Sequence, residues 1–112
     1  MKRDNRLYLK DILDCMVKIE EFVKEMDFEN FIKDDKTVSA VVRKLEVIGE
    51  ATKNIPEAIK KKHKDIPWRD MARMRDKIIH FYFGVDYEIV WKVIKERLPK
   101  IKPLLKKVLK EL

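Results

Sequence analysis

The chain has 112 residues, which suits one domain burying about two-thirds of the surface its unfolded form exposes. That size excludes a large internal pocket and places any site in a surface groove or between subunits. Charged residues make up 42% of the chain and glutamine is absent, a usage typical of heat-adapted proteins, so a formal charge of +7 permits nucleic-acid binding without requiring it.

The basic start Met1-Lys2-Arg3 is followed by apolar positions that Lys10, Asp11, Asp14 and Lys18 interrupt, so neither a signal peptide nor a membrane span is expected. The expected compartment is the cytoplasm. From about Leu7 to Met26, apolar residues including Leu9, Ile12, Met16, Ile19 and Val23 recur every three or four positions and predict an amphipathic first helix. Cys15 sits on that stripe; as the one cysteine it can form no internal disulfide and reads as a core thiol. Phe28, Phe31 and Ile32 predict a short turn or helix tucked under the bundle. Asp35 or Thr37 then caps a second long helix with Val38, Val41, Val42, Leu45 and Ile48 as its stripe, and Gly49 within it marks a close helix approach.

After Pro56, the run Glu57 to Lys64 reads as a basic helical turn. Asp65 and Pro67 are a plausible start for a third helix over 67–83, which Gly84 closes in a left-handed cap. Asp86 is an N-cap for a fourth helix carrying Val90, Trp91, Ile94 and Leu98, and a final helix follows Pro99. No segment alternates long enough to argue for a strand. The expected fold is therefore all-α, a four- to five-helix antiparallel up-and-down bundle comprising residues 1–112 as one domain.

The third helix carries the chemistry. At about 100° per residue, Met71, Met74, Ile78, Phe81 and Tyr82 form its core face, while Arg69, Arg73, Asp76 and His80 form an opposite polar seam. Asp76, one turn before His80, is placed to orient the imidazole, and the last turn of a helix favours the protonated ring. The bland reading of His80 is a solvated or capping histidine. Arg75 falls near the core face, so it is either paired with a carboxylate of another helix or reaches along its stem to a polar groove. Arg75 and His80 stand about 140° apart on an ideal helix. Either the helix end distorts or two subunits meet there; the second solution predicts a homodimer.

The run Arg75-Asp76-x-x-x-His80-x-Tyr82, followed by Phe83-Gly84-Val85-Asp86 and Val90-Trp91, resembles the HepT-like branch of the HEPN domains. Leu45-x-x-Ile48-Gly49-Glu50-Ala51, Ile66-Pro67-Trp68-Arg69 with Met74, and Leu98-Pro99 fit the same family, so the resemblance covers about 38 to 105. It implies an antiparallel helical bundle whose homodimer cleft cleaves RNA without a metal, as the toxin of a module with a minimal nucleotidyltransferase antitoxin. On that resemblance Arg75 binds the scissile phosphate and His80 is the general base or acid at the ribose 2′-OH. Asp76 supports His80 from the position after the arginine, although its charge repels phosphate. Tyr82 matches a tyrosine to which some nucleotidyltransferase partners attach AMP, silencing the toxin; its bland reading is a core aromatic with its hydroxyl at the rim.

Arg69 and Arg73 are candidate RNA contacts. Lys60-Lys61-Lys62-His63-Lys64 and the tail lysines Lys100, Lys102, Lys106, Lys107 and Lys110 are either an RNA guide or a solvated surface. One cysteine and two unrelated histidines offer no zinc spacing, and no cofactor is expected. Two other functions stay open: a non-catalytic nucleotide-binding or regulatory subunit that complements a separate nucleotidyltransferase, and a helical dimerisation adaptor.

Overall fold

The structure, a computed structural model, describes residues 4–80 and 84–112. Aspartates open its first three helices by accepting first-turn amides that have no partner within the helix. Asp4 accepts from Arg6 N at 2.9 Å ahead of α1 (Asn5–Phe22), and Asp27 from Asn30 N at 2.8 Å ahead of α2 (Phe28–Lys33). Asp34 accepts from Thr37 N at 3.0 Å ahead of α3 (Asp35–Lys53). The cap of α3 is thus Asp34, not Asp35 or Thr37; Thr37 supplies the donor.

The apolar stripes face inward as their periodicity requires. Leu9, Ile12, Met16 and Ile19 of α1 and Val41, Leu45 and Ile48 of α3 are fully buried, and the two helices pack along one another. Cys15 is buried among them, and that burial pushes its thiol pKa upward. Thr52 is buried and polar, with its hydroxyl donating to Ile48 O at 2.7 Å. From α2, Phe31 closes one end of the core against Trp91, with ring centroids 5.1 Å apart.

The long third helix expected over 67–83 is absent. After α4 (Glu57–Lys62), the chain forms α5 (Trp68–Ala72), breaks at Arg73, and resumes as α6 (Met74–Ile78). Asp65 does not cap α5; Pro67 holds the cap position, and Trp68 Nε1 donates to His63 O at 2.9 Å, tying the connector to the helix. Beyond Ile78 the backbone turns extended. Strand β1 (Ile79–His80) pairs antiparallel with β2 (Gly84–Val85), Ile79 opposite Val85 and His80 opposite Gly84.

The local sequence accounts for the change. Ile78-Ile79-His80-Phe81-Tyr82-Phe83 is a β-branched and aromatic run, the composition that fits a pleated strand better than a helix. Gly84 adopts φ +80°, so its left-handed backbone belongs to the strand pair and not to a helix cap. Asp86 N donates to Ile78 O at 2.8 Å, so the returning chain satisfies the carbonyl at which the helix stops. The fold class stands as all-α, with this one short strand pair among the described residues.

Asp86 caps α7 (Tyr87–Lys92), accepting from Ile89 N at 3.1 Å, as the sequence predicts. A separate helix after Pro99 is not found: α7 passes through a π-helical turn (Val93–Arg97) directly into α8 (Leu98–Glu111). Proline lacks an amide and its ring crowds the carbonyl four residues back; widened bonding just upstream lets one helix run through it. α8 lies against α1, where Lys102 Nζ meets Glu20 Oε1 at 2.9 Å.

Gly49 determines how closely the α5–α6 junction approaches this frame. A side-chain carbon there would lie 3.3 Å from Met71 O and 3.4 Å from Ala72 O. The close approach expected of Gly49 is therefore to the backbone at the helix break.

Candidate active site

Three short elements present the candidate residues. Arg75 lies on α6, with Nε 3.7 Å from Glu46 Oε2 of α3. The carboxylate expected from another helix is present, yet the arginine side chain remains 71% exposed, so its charged head is open to a solvent-side ligand. Asp76, the next residue, is also exposed.

His80 is on β1, not on a helix, and the expected seam does not form as a unit. Arg69 lies on α5, Arg73 at the break, Asp76 on α6 and His80 beyond the helix end. The carboxylate facing the imidazole is Asp86, not Asp76: His80 Nε2 lies 3.4 Å from Asp86 Oδ2. His80 also lies outside the last turn of α6. Asp86 makes two hydrogen bonds, its amide donating to Ile78 O and its Oδ1 accepting from Ile89 N, and its Oδ2 lies beside His80. It is the principal residue that sequence reasoning missed as a site component. Its capping role was visible, but its place beside His80 follows from the chain reversal around Gly84.

The helix end therefore resolves the 140° problem within one chain. Arg75, Asp76, Ile79 and His80 line a common groove of 500 Å³. This is the first of the two solutions, since the extended step after Ile78 re-aims His80 toward the groove that Arg75 lines. Tyr82 lies outside the described residues. Arg69 lines a separate groove with Lys60, Lys61, Lys64 and Trp68, whereas Arg73 is exposed at the break and joins neither groove. His63 is drawn to Glu111 near the end of α8, Nε2 to Oε2 3.4 Å, away from His80's groove.

A groove with a guanidinium at one wall and an imidazole backed by a carboxylate at another can neutralise an anion while moving a proton. Among the described residues, no three His, Cys, Asp or Glu side chains group as ligands for a metal ion, and no helix is long and apolar enough to cross a membrane.

The family model described as ribonuclease HepT-like matches residues 12–108. The chain belongs to the HepT-like ribonuclease family. The match runs from α1 almost to the end of α8, wider than the motif-bearing segment, and includes Arg75, Asp76, His80 and Asp86. Among relatives of the HepT-like chain is the "Probable ribonuclease HepT" of Thermococcus cleftensis, 54% identical over 98% of this chain and 100% of its own length. Two Methanocaldococcus jannaschii proteins, "Putative RNase MJ0127" and "Putative RNase MJ0125", are 46% and 50% identical over 99% of this chain, covering 92% and 96% of their own lengths. No solved structure matches the chain.

Proposed function

We propose that this chain is the ribonuclease toxin of a two-component module and that it cleaves RNA at the groove of Arg75 and His80 without a metal ion. The observation that carries the reading is that these two side chains line one groove although they stand on different elements. Family membership and relatives named as ribonucleases support RNA as the substrate class.

In this reaction His80 accepts the proton of the ribose 2′-OH as the 2′-oxygen attacks phosphorus. The P–O5′ bond breaks, and the proton taken up by His80 passes on to the leaving 5′-oxygen, which returns the imidazole to its starting form. The products are a 2′,3′-cyclic phosphate and a 5′-hydroxyl, so atoms and charge balance without another reactant. Arg75 neutralises the charge that builds on the non-bridging oxygens. Asp86, 3.4 Å from His80 Nε2, holds the imidazole in place, while Asp76, in the same groove, tempers the attraction for phosphate. Two copies related by a two-fold axis along this face would join their grooves into one longer cleft. The partner is a minimal nucleotidyltransferase antitoxin, and AMP on Tyr82 would add bulk and negative charge that oppose RNA entry.

RNA incubated with the purified protein in EDTA is expected to be cut to cyclic-phosphate ends. His80→Ala and Arg75→Ala should each lower the rate by about 10²-fold or more. Undiminished cleavage by His80→Ala would overturn the assignment.

A further inference from the structure

His80 borders a second concavity as well as the groove it shares with Arg75. A groove of 590 Å³, which His80 also lines, lies between α2 and the start of α7. Phe28 and Ile32 form one wall, and Val85 and Tyr87 another. Ile32 and Tyr87 are 37% and 40% exposed, large apolar side chains left open beside the candidate catalytic histidine. Phe28 packs against Trp91, with ring centroids 6.1 Å apart.

Charge distinguishes the two grooves. The chain has 27 lysines and arginines, yet the described lining of this groove contains none. Beside His80, its ionisable members are Asp86 and Glu88. Two carboxylates with no lysine or arginine among the described lining disfavour a phosphate, and the exposed Glu88 leaves acceptors for the amino and imino donors of a base edge. Apolar and aromatic faces opened to solvent suit a flat heterocycle, since unstacked bases in single-stranded RNA dock on aromatic side chains.

Resting on the ribonuclease reading, we infer that this groove is a nucleobase subsite, which holds one base flanking the phosphate bound by Arg75. His80 is its shared border, so a base seated between Tyr87 and Phe28 holds the adjoining ribose next to the imidazole. Tyr87 is then a specificity-determining residue for RNA, through stacking and not through charge. The occupant is a base of single-stranded RNA, because a paired base is already stacked and turned away.

The test compares two probes at equal salt: a short single-stranded RNA of mixed sequence and an abasic ribose-phosphate oligomer of the same length. Both carry the same phosphate charge, so their affinity ratio isolates the bases. The full chain bearing His80→Ala, which does not consume the RNA, is titrated with each probe by fluorescence anisotropy. The RNA should bind at least about fivefold more tightly than the abasic oligomer. Tyr87→Ala in that background should remove most of this ratio by weakening RNA alone, and Tyr87→Phe, which keeps the stacking face, should preserve it. An unchanged ratio in Tyr87→Ala overturns the subsite, as does equal weakening of both probes. Conversion of an oligomer to monomer by Tyr87→Ala with the ratio intact also overturns it and assigns the patch to a second copy. Cleavage by the chain with native His80, measured in parallel, separates the two readings. His80-dependent cleavage without a Tyr87-dependent ratio sinks the subsite alone; the ratio without such cleavage sinks the ribonuclease reading alone. Absence of RNA binding overturns both.

Discussion

The α1–α3 pair and the segment from Arg73 to Asp86 are built by opposite means. In the pair, regular helices bury regular stripes, and Leu9, Ile12, Met16, Ile19, Val41, Leu45 and Ile48 meet with no exposed surface. In the segment, each candidate residue depends on an interruption: the break at Arg73, the helix end at Ile78, the left-handed Gly84 and the cap at Asp86. Regularity supplies stability here, while departures from it aim side chains. Gly49 and Glu46, three residues apart on α3, connect the two: one admits the backbone of the break and the other faces Arg75.

This contrast predicts that substitutions in the two regions separate stability from activity. The largest effect on stability is expected in the frame, where Ile48→Ala should cost about 2–5 kcal/mol in chemical denaturation. At temperatures where that variant remains folded, its RNA cleavage should be close to native. A large drop in cleavage by the still-folded variant would blur the distinction. In the site segment, Gly84→Ala places a side chain at φ +80° and should cost about 1–2 kcal/mol. Among the described residues, and apart from the chain neighbours of Gly84, no heavy atom lies within 4 Å of the added carbon, so the strain is in the backbone. Cleavage should fall beyond what the lost stability explains, because the strand pair that holds His80 shifts.

How much of this is legible in the sequence follows from the same contrast. Long-range periodicity identifies a helix and its buried face, so the stripes of α1 and α3, the buried Cys15 and the cap at Asp86 could all be read. The end of a helix is a local competition. At Ile78 the apolar spacing of Met71, Met74 and Ile78 continues to favour a helix, while the β-branched and aromatic run favours a strand. Carrying the helical projection through that point put His80 on a seam with Asp76. The pairing with Asp86 depends on a reversal that no periodicity encodes. Arg75 illustrates a different limit: spacing offered an ion pair or a groove, and the side chain satisfies both, touching Glu46 while its head remains exposed.

Smaller effects sharpen the comparison. Glu46→Gln removes the partner of a mostly exposed arginine, so stability should change by less than about 1 kcal/mol. If Arg75 serves phosphate, the variant should bind RNA at least as tightly as the native chain in a salt titration; weaker binding would show that Glu46 is needed to position it. The smallest effect should be a pH dependence at the start of α3. The backbone amide of Thr37 holds the Asp34 carboxyl below its usual 3.8. A depressed carboxylate contributes its stabilisation fully above the unfolded value and loses it as pH falls through the folded value. The stability gap between native and Asp34→Ala should therefore be constant near neutrality and narrow in acid, as denaturation at stepped pH would show.

The departure from helix builds the candidate site by placing Asp86, and not Asp76, against His80. Asparagine retains the ability to cap α7 while removing the charge, so Asp86→Asn and Asp76→Asn test the claim with little disturbance to the fold. RNA cleavage rates for the two variants in EDTA decide it. Asp86→Asn should lose roughly 10-fold or more in kcat, whereas Asp76→Asn should keep its rate or gain in RNA affinity. A loss confined to Asp76→Asn, with Asp86→Asn fully active, would contradict the account.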